Sequence, residues 1–463
     1  MSVISNSKTT FDFNVPILII GGGACGMSAA LSAKEKGADL MIIERDKEAS
    51  GSSALSTCLI PAAGTILQKE AGVIDSPEIF ANDIIRKARG QNDRDMAYWI
   101  AESSGPTVDW LMDEANLPLN LVTGFYYPGH SKFRMHGSPN RTGTELMFSL
   151  NEAIQKKSID LITSALVKNI YTDQNRKILG VSILRPDGKM EFIGCKVLIL
   201  ACNGYGGDPE MVKKYVPEMS DAIYFGHSGN KGDAVKWGIE LGAAIADMGG
   251  YQGHGAVTHP HGTLLFWGLL TEGGIQVNNI GNRFSNEIRG YSEQAVDVIS
   301  QSDNIAWEIW TKDGHDLGLE FQDYRNGLEM EAIKKANSIE EISSIASLPT
   351  ENLIKTFNEI KSCNEKKQKD TFGRPWDKAK ILNGPYYFAK VTGALFHTQG
   401  GLVVNKSAQV LSNKGSPMPN LFAGGGAARG LSGPSRWGYL SGNGLLTATV
   451  LGKIAGQEAF KLI

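Results

Sequence analysis

The chain has 463 residues, with 46 Lys and Arg against 49 Asp and Glu and a net charge of −3. This balance, without any dense Lys/Arg run, excludes a polyanion-binding face and with it a nucleic-acid partner. Five cysteines (Cys25, Cys58, Cys195, Cys202, Cys363) form no CxxC pair and no CxxCH, which indicates neither a disulfide frame nor a haem or iron–sulfur domain and predicts free thiols; no metal site is expected.

The length predicts one large domain with an insertion, or two domains. The N-terminal MSVISNSKTTFDFNVP lacks an export signal, and no stretch reaches the roughly 18 uninterrupted apolar residues of a membrane span. A cytoplasmic protein without a membrane span is the expectation. Fifty-four glycines, in clusters, point to places where backbone turns sharply or approaches a ligand.

The first strong element is VPILIIGGGACGMSAALSAKEKGADLMIIERD, residues 15–46. An apolar run ends in glycines, an Ala-rich helical pattern follows, and a second apolar run closes on Glu44, which reads as β-α-β. Gly21, Gly23 and Gly26 stand at GxGxxG spacing: one for a tight turn, one for approach of a pyrophosphate, one for close helix–strand contact. The helix N-terminus then favours the anion, and Glu44 is placed to accept from both ribose hydroxyls. The next loop, ASGSSALSTCLIPAAGT, offers Ser52, Ser53 and Ser56 as phosphate or ring contacts; as plain turn formers they need no ligand.

Residues 124–146, GFYYPGHSKFRMHGSPNRTGTEL, are rich in Tyr, His, Arg and Gly without a secondary-structure period. They predict an active-site loop, with Tyr126, Arg134 or His136 as substrate contacts. KVLILACNGYGGDPEM (196–211) reads as a buried strand running into a Gly-rich turn at Gly204, and Gly232-Asp233 opens a helix. MPNLFAGGGAARGLSGPSRWGYLSGNGLLTATVLGKIAG (418–456) gives another strand, a glycine cluster with Gly425 and Gly426, and a final helix. The Lys/Glu-rich residues 332–370 read as solvated helices.

Together these segments, with TEGGIQVNNIGNRFSNE, HTQGGLVVN and LFAGGG, resemble the flavoprotein family of fumarate reductase, succinate dehydrogenase and the 3-ketosteroid dehydrogenases over nearly the whole chain. The resemblance implies an α/β fold: a Rossmann-like FAD-binding domain (1–251 and 398–463) with an inserted α+β cap domain (252–397). Gly204, Asp233, Gly425 and Gly426 then join the FAD contacts. Covalent members of the family carry the flavin on a His in the loop after the second strand. This loop has none, so non-covalent FAD is expected.

The residues 281–291, GNRFSNEIRGY, bear on the reaction. Fumarate reductases carry an arginine proton donor five residues past the matching Asn; from Asn286 that count reaches Tyr291. The chain resembles the ketosteroid dehydrogenases here, which implies Tyr291 as the proton-transfer group, with Arg289 as the alternative if the loop is slipped. Arg283 reads as an ion-pair partner of Glu287 or another cap acid. By the same resemblance His259, Thr271, Glu272 and His397 match the fumarate-reductase substrate cradle, with His261 a weaker candidate. Arg436 stands near the family's carboxylate-binding arginine. Tyr439 and Gly444 resemble the pair that polarises a ketosteroid carbonyl; the structural alternative is Trp437 and Tyr439 packing under the flavin ring while Arg436 pairs with a cap carboxylate.

These readings imply a dehydrogenase forming a C=C bond beside a carbonyl, with a small-molecule substrate and an unidentified electron acceptor. A fumarate-like ene-reductase and a flavin subunit of an electron-transfer complex are the alternatives.

Overall fold

The computed structural model describes residues 2–6, 8–376 and 382–463. The segment 377–381, inside the expected cap, lies outside the described residues. Contacts divide the chain into two units: Met1–Val216, Gly226–Tyr251 and His397–Ile463 form the first, Pro217–Phe225 and Gln252–Phe396 the second.

The first unit is built on a sheet whose central strands are parallel. Pro417–Ala423, Met190–Leu200, Phe13–Ile20, Leu40–Ile43 and Asp160–Ile162 lie side by side in that order. Ile17, Leu18 and Ile19, with Val197 to Leu200, are fully buried, as strands covered on both faces must be. Leu166–Thr172 and Ile178–Leu184 extend the sheet as an antiparallel meander.

The register aligns the carboxyl ends of the parallel strands. Ile20 pairs with both Leu200 and Ile43, and Leu200 with Ala423. Gly21, Ala201, Gly424 and Glu44, one residue further on, therefore stand at one level. In an open α/β sheet this edge is where ligands bind.

Two helices cover the sheet together, Ala24–Glu35 and Asn443–Phe460. A Cβ on Gly452 would fall 2.3 Å from the Cys25 carbonyl oxygen, and one on Gly456 would fall 2.1 Å from that of Ala29. The glycines thus permit backbone contact, and their order makes the helices parallel. Residue 24 lies level with about residue 451, so the later helix begins about 12 Å further out at 1.5 Å per residue.

The second unit has its own sheet. Tyr386–Thr398 pairs antiparallel with Ile305–Thr311, which pairs with Ile275–Val277, and parallel with Ile223–Tyr224. That last pairing takes residues 217–225 into this unit, which the sequence reading left with the first. Ile275, Val277, Ile309, Leu353, Trp376 and Phe388 fill its core. The Lys/Glu-rich stretch folds as helices Ile339–Ala346 and Thr350–Glu365. Among the described residues no helix is long and apolar enough to cross a membrane, and no group of His, Cys, Asp or Glu is placed to hold a metal. All five cysteines are free.

Candidate functional site

The dinucleotide cradle lies in the first unit. Gly21 has φ +108°, and a Cβ there would sit 2.5 Å from the Ala201 oxygen; one on Gly26 would sit 1.9 Å from the oxygen of Gly21. Both positions are glycine for reasons internal to the fold. Gly23 differs: its Cβ would meet only Ser53 Oγ, at 3.4 Å. It opens the helix Ala24–Glu35 without a side-chain cap and is half-buried, so the space before the helix amides is left for a ligand.

Glu44 is buried and its carboxylate is oriented by backbone. The Gly22 N–H donates to one oxygen at 2.8 Å and the Asp46 N–H to the other at 3.0 Å. Each oxygen keeps acceptor capacity for a ribose hydroxyl. The three serines have structural work as well as position. Ser53 Oγ accepts from the Ala24 N–H, Ser52 Oγ accepts from the His227 N–H and the Asn230 amide, and Ser56 Oγ donates to the Ser53 carbonyl. His227 in turn meets Asp46, with Nε2 2.8 Å from a carboxylate oxygen. No motif marked that histidine.

Two glycine turns close on each other beyond the adjacent strands. A Cβ on Gly204 would fall 2.1 Å from Thr398 Oγ1, and one on Gly426 would fall 2.1 Å from Asn203 Oδ1. Gly425 has φ +57° and lies against Cys25 and Ala448. Asp233 follows Gly232, whose φ of +73° turns the chain into the helix Asp233–Leu241; burial raises the pKa of the Asp233 carboxyl. On the C-terminal helix Gly444, Leu445 and Ala448 form a half-buried face of small or flat contour, although most of the helix is buried. An open Gly23, an oriented acid and this face fit a dinucleotide extended from one helix N-terminus to the other.

At the outer helix N-terminus stand His397, Tyr439 and Gly444. The His397 and Tyr439 rings meet edge to face with centroids 5.4 Å apart. A Cβ on Gly444 would come within 2.7 Å of His397 Nε2, so glycine is what admits the imidazole. The Gly444 N–H donates to the Tyr439 hydroxyl at 3.5 Å. Burial raises the Tyr439 pKa, against the lowering effect of the Gly444 and Gly442 amides, so the phenol stays protonated. Burial pushes His397 down to about 4, leaving a neutral imidazole whose Nδ1 lies 3.3 Å from the Gln399 amide.

In the second unit Tyr291 begins the helix Tyr291–Ile299. Its ring stacks on His254 at 5.1 Å and meets Trp267 edge to face at 4.8 Å. His254 stacks in turn on Phe396, and Phe396 on Phe225. His254 is buried, its pKa is pushed down to about 3, and Nδ1 has no hydrogen-bond partner among the described residues. Sequence reading missed it because it lies in a Gly-rich strand without a motif. His259 instead is exposed in the turn after that strand, as is His261. Thr271 ends the short helix Gly268–Thr271, its hydroxyl donating to the Gly268 carbonyl, and half-buried Glu272 follows. Arg289 is half-exposed and paired with Asp297.

Arg283 bonds Glu287 at 2.7 Å, as its spacing implied, and also Asp370; Arg374 bonds the same Glu287 at 2.9 Å. Burial alone would raise the Glu287 pKa, but the two guanidinium groups bring it below the usual range.

The loop 124–146 divides. Arg134 is fully buried between Asp75 and Asp83, and His136 bonds Thr65 and the Ile60 carbonyl. Both hold the fold instead of facing a ligand. Tyr126 is exposed and stacked on Phe133. Arg436 is half-buried near Trp437.

Residues 16–445 match the family described as FAD binding domain. The chain belongs to that family. The chain is thus that of an FAD-dependent oxidoreductase. It is 28% identical over 446 residues to a probable fumarate reductase of Shewanella frigidimarina, covering 96% of this chain and 74% of that one. It is 27% identical to a urocanate reductase of Eggerthella lenta, covering 97% and 75%. A solved flavocytochrome c3 fumarate reductase in its open conformation aligns with TM-score 0.81 at 28% identity, covering 98% of this chain and 79% of that one. The 3-ketosteroid-Δ4-(5α)-dehydrogenase of Rhodococcus jostii RHA1 shares the fold, with TM-score 0.78 at 23% identity and 99% of both chains covered.

Proposed function

We propose that this protein is a dehydrogenase that forms a C=C bond α,β to a carbonyl of a cyclic ketone or oxo acid, such as an oxocyclohexane carboxylate or a 3-ketosteroid-like compound. The observation that carries the reading is the protonated Tyr439 phenol beside the Gly444 amide at the open end of a long helix. A phenol that accepts an N–H bond is a better donor, and the helix N-terminus adds positive potential. Together they suit an oxygen on which negative charge develops as an α proton leaves.

FAD, held without a covalent link, would supply the acceptor for the hydride lost from the β carbon. Tyr291 takes the α proton on its phenolate oxygen, its ring fixed by His254 and Trp267. Neutral His397 orients the bound oxygen without adding charge, and Arg436 holds a substrate carboxylate. His259, Thr271, Glu272 and Tyr126 are further substrate contacts. An external electron acceptor completes turnover, and the protein acts in the cytoplasm.

A second reading, reduction of an unsaturated carboxylic acid, is favoured by relatives named fumarate and urocanate reductase at 26–28% identity. Tyr291 in place of the arginine weighs against it. Anaerobic addition of saturated cyclic ketones and keto acids tests both. Bleaching of the flavin absorbance with recovery of the unsaturated product supports the dehydrogenase. No bleaching, with reoxidation of chemically reduced enzyme by fumarate-like acids, overturns it in favour of the reductase.

A further inference from the structure

Two cationic side chains in the first unit meet at one indole. The Arg89 guanidinium lies 4.3 Å from the Trp437 ring centroid and that of Arg436 lies 5.9 Å from it. Neither has a carboxylate partner among the described residues, although the other arginines nearby do: Arg86 bonds Asp83 and Arg429 bonds Asp93. The two guanidiniums are thus no more than about 10 Å apart, roughly one Debye length at 0.1 M salt, so their mutual repulsion is weak. An anion held between them would meet charge-assisted donors from both sides.

The surroundings are built and not incidental. Arg89 sits in the left-handed region, φ 53°, at the end of the helix Pro77–Lys87. Its loop is tied to the Arg436 loop by a bond from Ser435 Oγ to Gln91 Oε1 at 3.1 Å. A Cβ on Gly433 would come 3.1 Å from the Asn92 nitrogen, so the loops pack backbone to backbone. Asn92 is 7% exposed, and both atoms of its amide lack a partner among the described residues; so does Trp437 Nε1. Buried polar groups are almost always satisfied, so the unpartnered indole N–H between the two arginines, and the unpartnered amide three residues after Arg89, leave capacity for a polar ligand.

We propose that Arg89, with Asn92 and Trp437, joins Arg436 in a recognition site for a carboxylate on a small apolar ring, and so selects ring-bearing oxo acids over neutral cyclic ketones. This rests on the dehydrogenase reading and narrows its substrate class. The guanidiniums supply charge-assisted donors to the carboxylate oxygens, and the indole face supplies the apolar wall beside them.

The test is a titration of the oxidised holoenzyme with cyclohexanecarboxylate, which has no ketone to direct dehydrogenation. Tryptophan emission is read as wild type minus Trp437→Phe, and cyclohexanol serves as the neutral probe. The expected result is a saturable signal with the acid alone, with half-saturation raised about tenfold or more in Arg89→Gln. Half-saturation in wild type also rises with KCl, a measurement that needs no Arg89 variant. Equal half-saturation in wild type and an FAD-retaining Arg89→Gln, a salt-independent signal, or an equal response to cyclohexanol overturns the proposal. Because nothing turns over, such a failure leaves the dehydrogenase reading standing. A failed bleaching experiment removes that reading and leaves the acid site to be judged by titration.

Discussion

His254 and Tyr291 lie face to face, their centroids 5.1 Å apart and their rings within 20° of parallel. Neither ring can turn without displacing the other, and Trp267 closes the edge of both. The Tyr291 hydroxyl is thereby held at a fixed place on a rigid helix start. Tyr291→Phe keeps the stack and removes only the oxygen. Its expected effect is a fall in kcat for dehydrogenation of about 10²- to 10⁴-fold, the usual value of a positioned proton-transfer group. FAD content stays at the wild-type level. Activity within threefold of wild type would remove Tyr291 from the reaction.

The glycines of the cradle separate into two kinds. At Gly26 a Cβ falls on backbone, whereas at Gly23 it meets only a serine hydroxyl at 3.4 Å. Gly26→Ala is expected to lower the melting temperature of the apoprotein, since forcing a methyl into packed backbone costs about 1–3 kcal/mol. Gly23→Ala is expected to leave apoprotein melting unchanged and to weaken FAD retention after dialysis. Equal melting losses in both variants would show that Gly23 is structural.

Glu308 is fully buried in the second unit. One oxygen accepts from the Gln276 amide at 2.8 Å, and the other has no partner among the described residues. Burial raises its pKa from 4.5 to about 8. The folded state therefore holds a proton that the unfolded state releases above about 4.5. Its stabilising effect is complete below that pH and is lost as pH rises toward 8, at up to about 1.4 kcal/mol per pH unit. Glu308→Gln keeps the shape without the proton. Urea midpoints for the two proteins should converge at pH 4 to 5, with the variant gaining as pH rises to 8. A constant difference across that range would contradict the buried neutral acid.

Glu287 carries two arginines in the same unit, all three nearly inaccessible to water. Removing the carboxylate leaves buried Arg374 without a carboxylate partner among the described residues and Arg283 with Asp370 alone. Glu287→Ala is expected to cost about 3–5 kcal/mol, as broken buried pairs do. The loss should be seen by thermal unfolding and should exceed that of Arg289→Ala, whose partner Asp297 lies toward the surface. A loss no larger than that of Arg289→Ala would refute a structural role for the triad.

Some of this was legible without coordinates because its physics is local. The strand, glycine turn, helix and second strand of residues 15–46 are set by spacing along one short segment, and so was the acid at Glu44. The Arg283–Glu287 pair follows from a separation of four residues. Departure from an arginine at position 291 was visible by counting from Asn286.

The rest depends on segments far apart in the chain. Arg134 and His136 carry every sign of a binding loop, yet Asp75, Asp83 and Thr65, some 50 to 70 residues away, claim them for the fold. His254 had no motif, because a ring stack is a property of surfaces meeting and leaves no spacing rule. Residues 217–225 joined the second unit through two paired residues of a strand about 170 positions later. The sequence by itself determined the cofactor, since a phosphate needs only bare backbone at a strand end. Only the tertiary structure decided which charged and aromatic side chains remain for a substrate, because burial and pairing are settled by the whole chain at once.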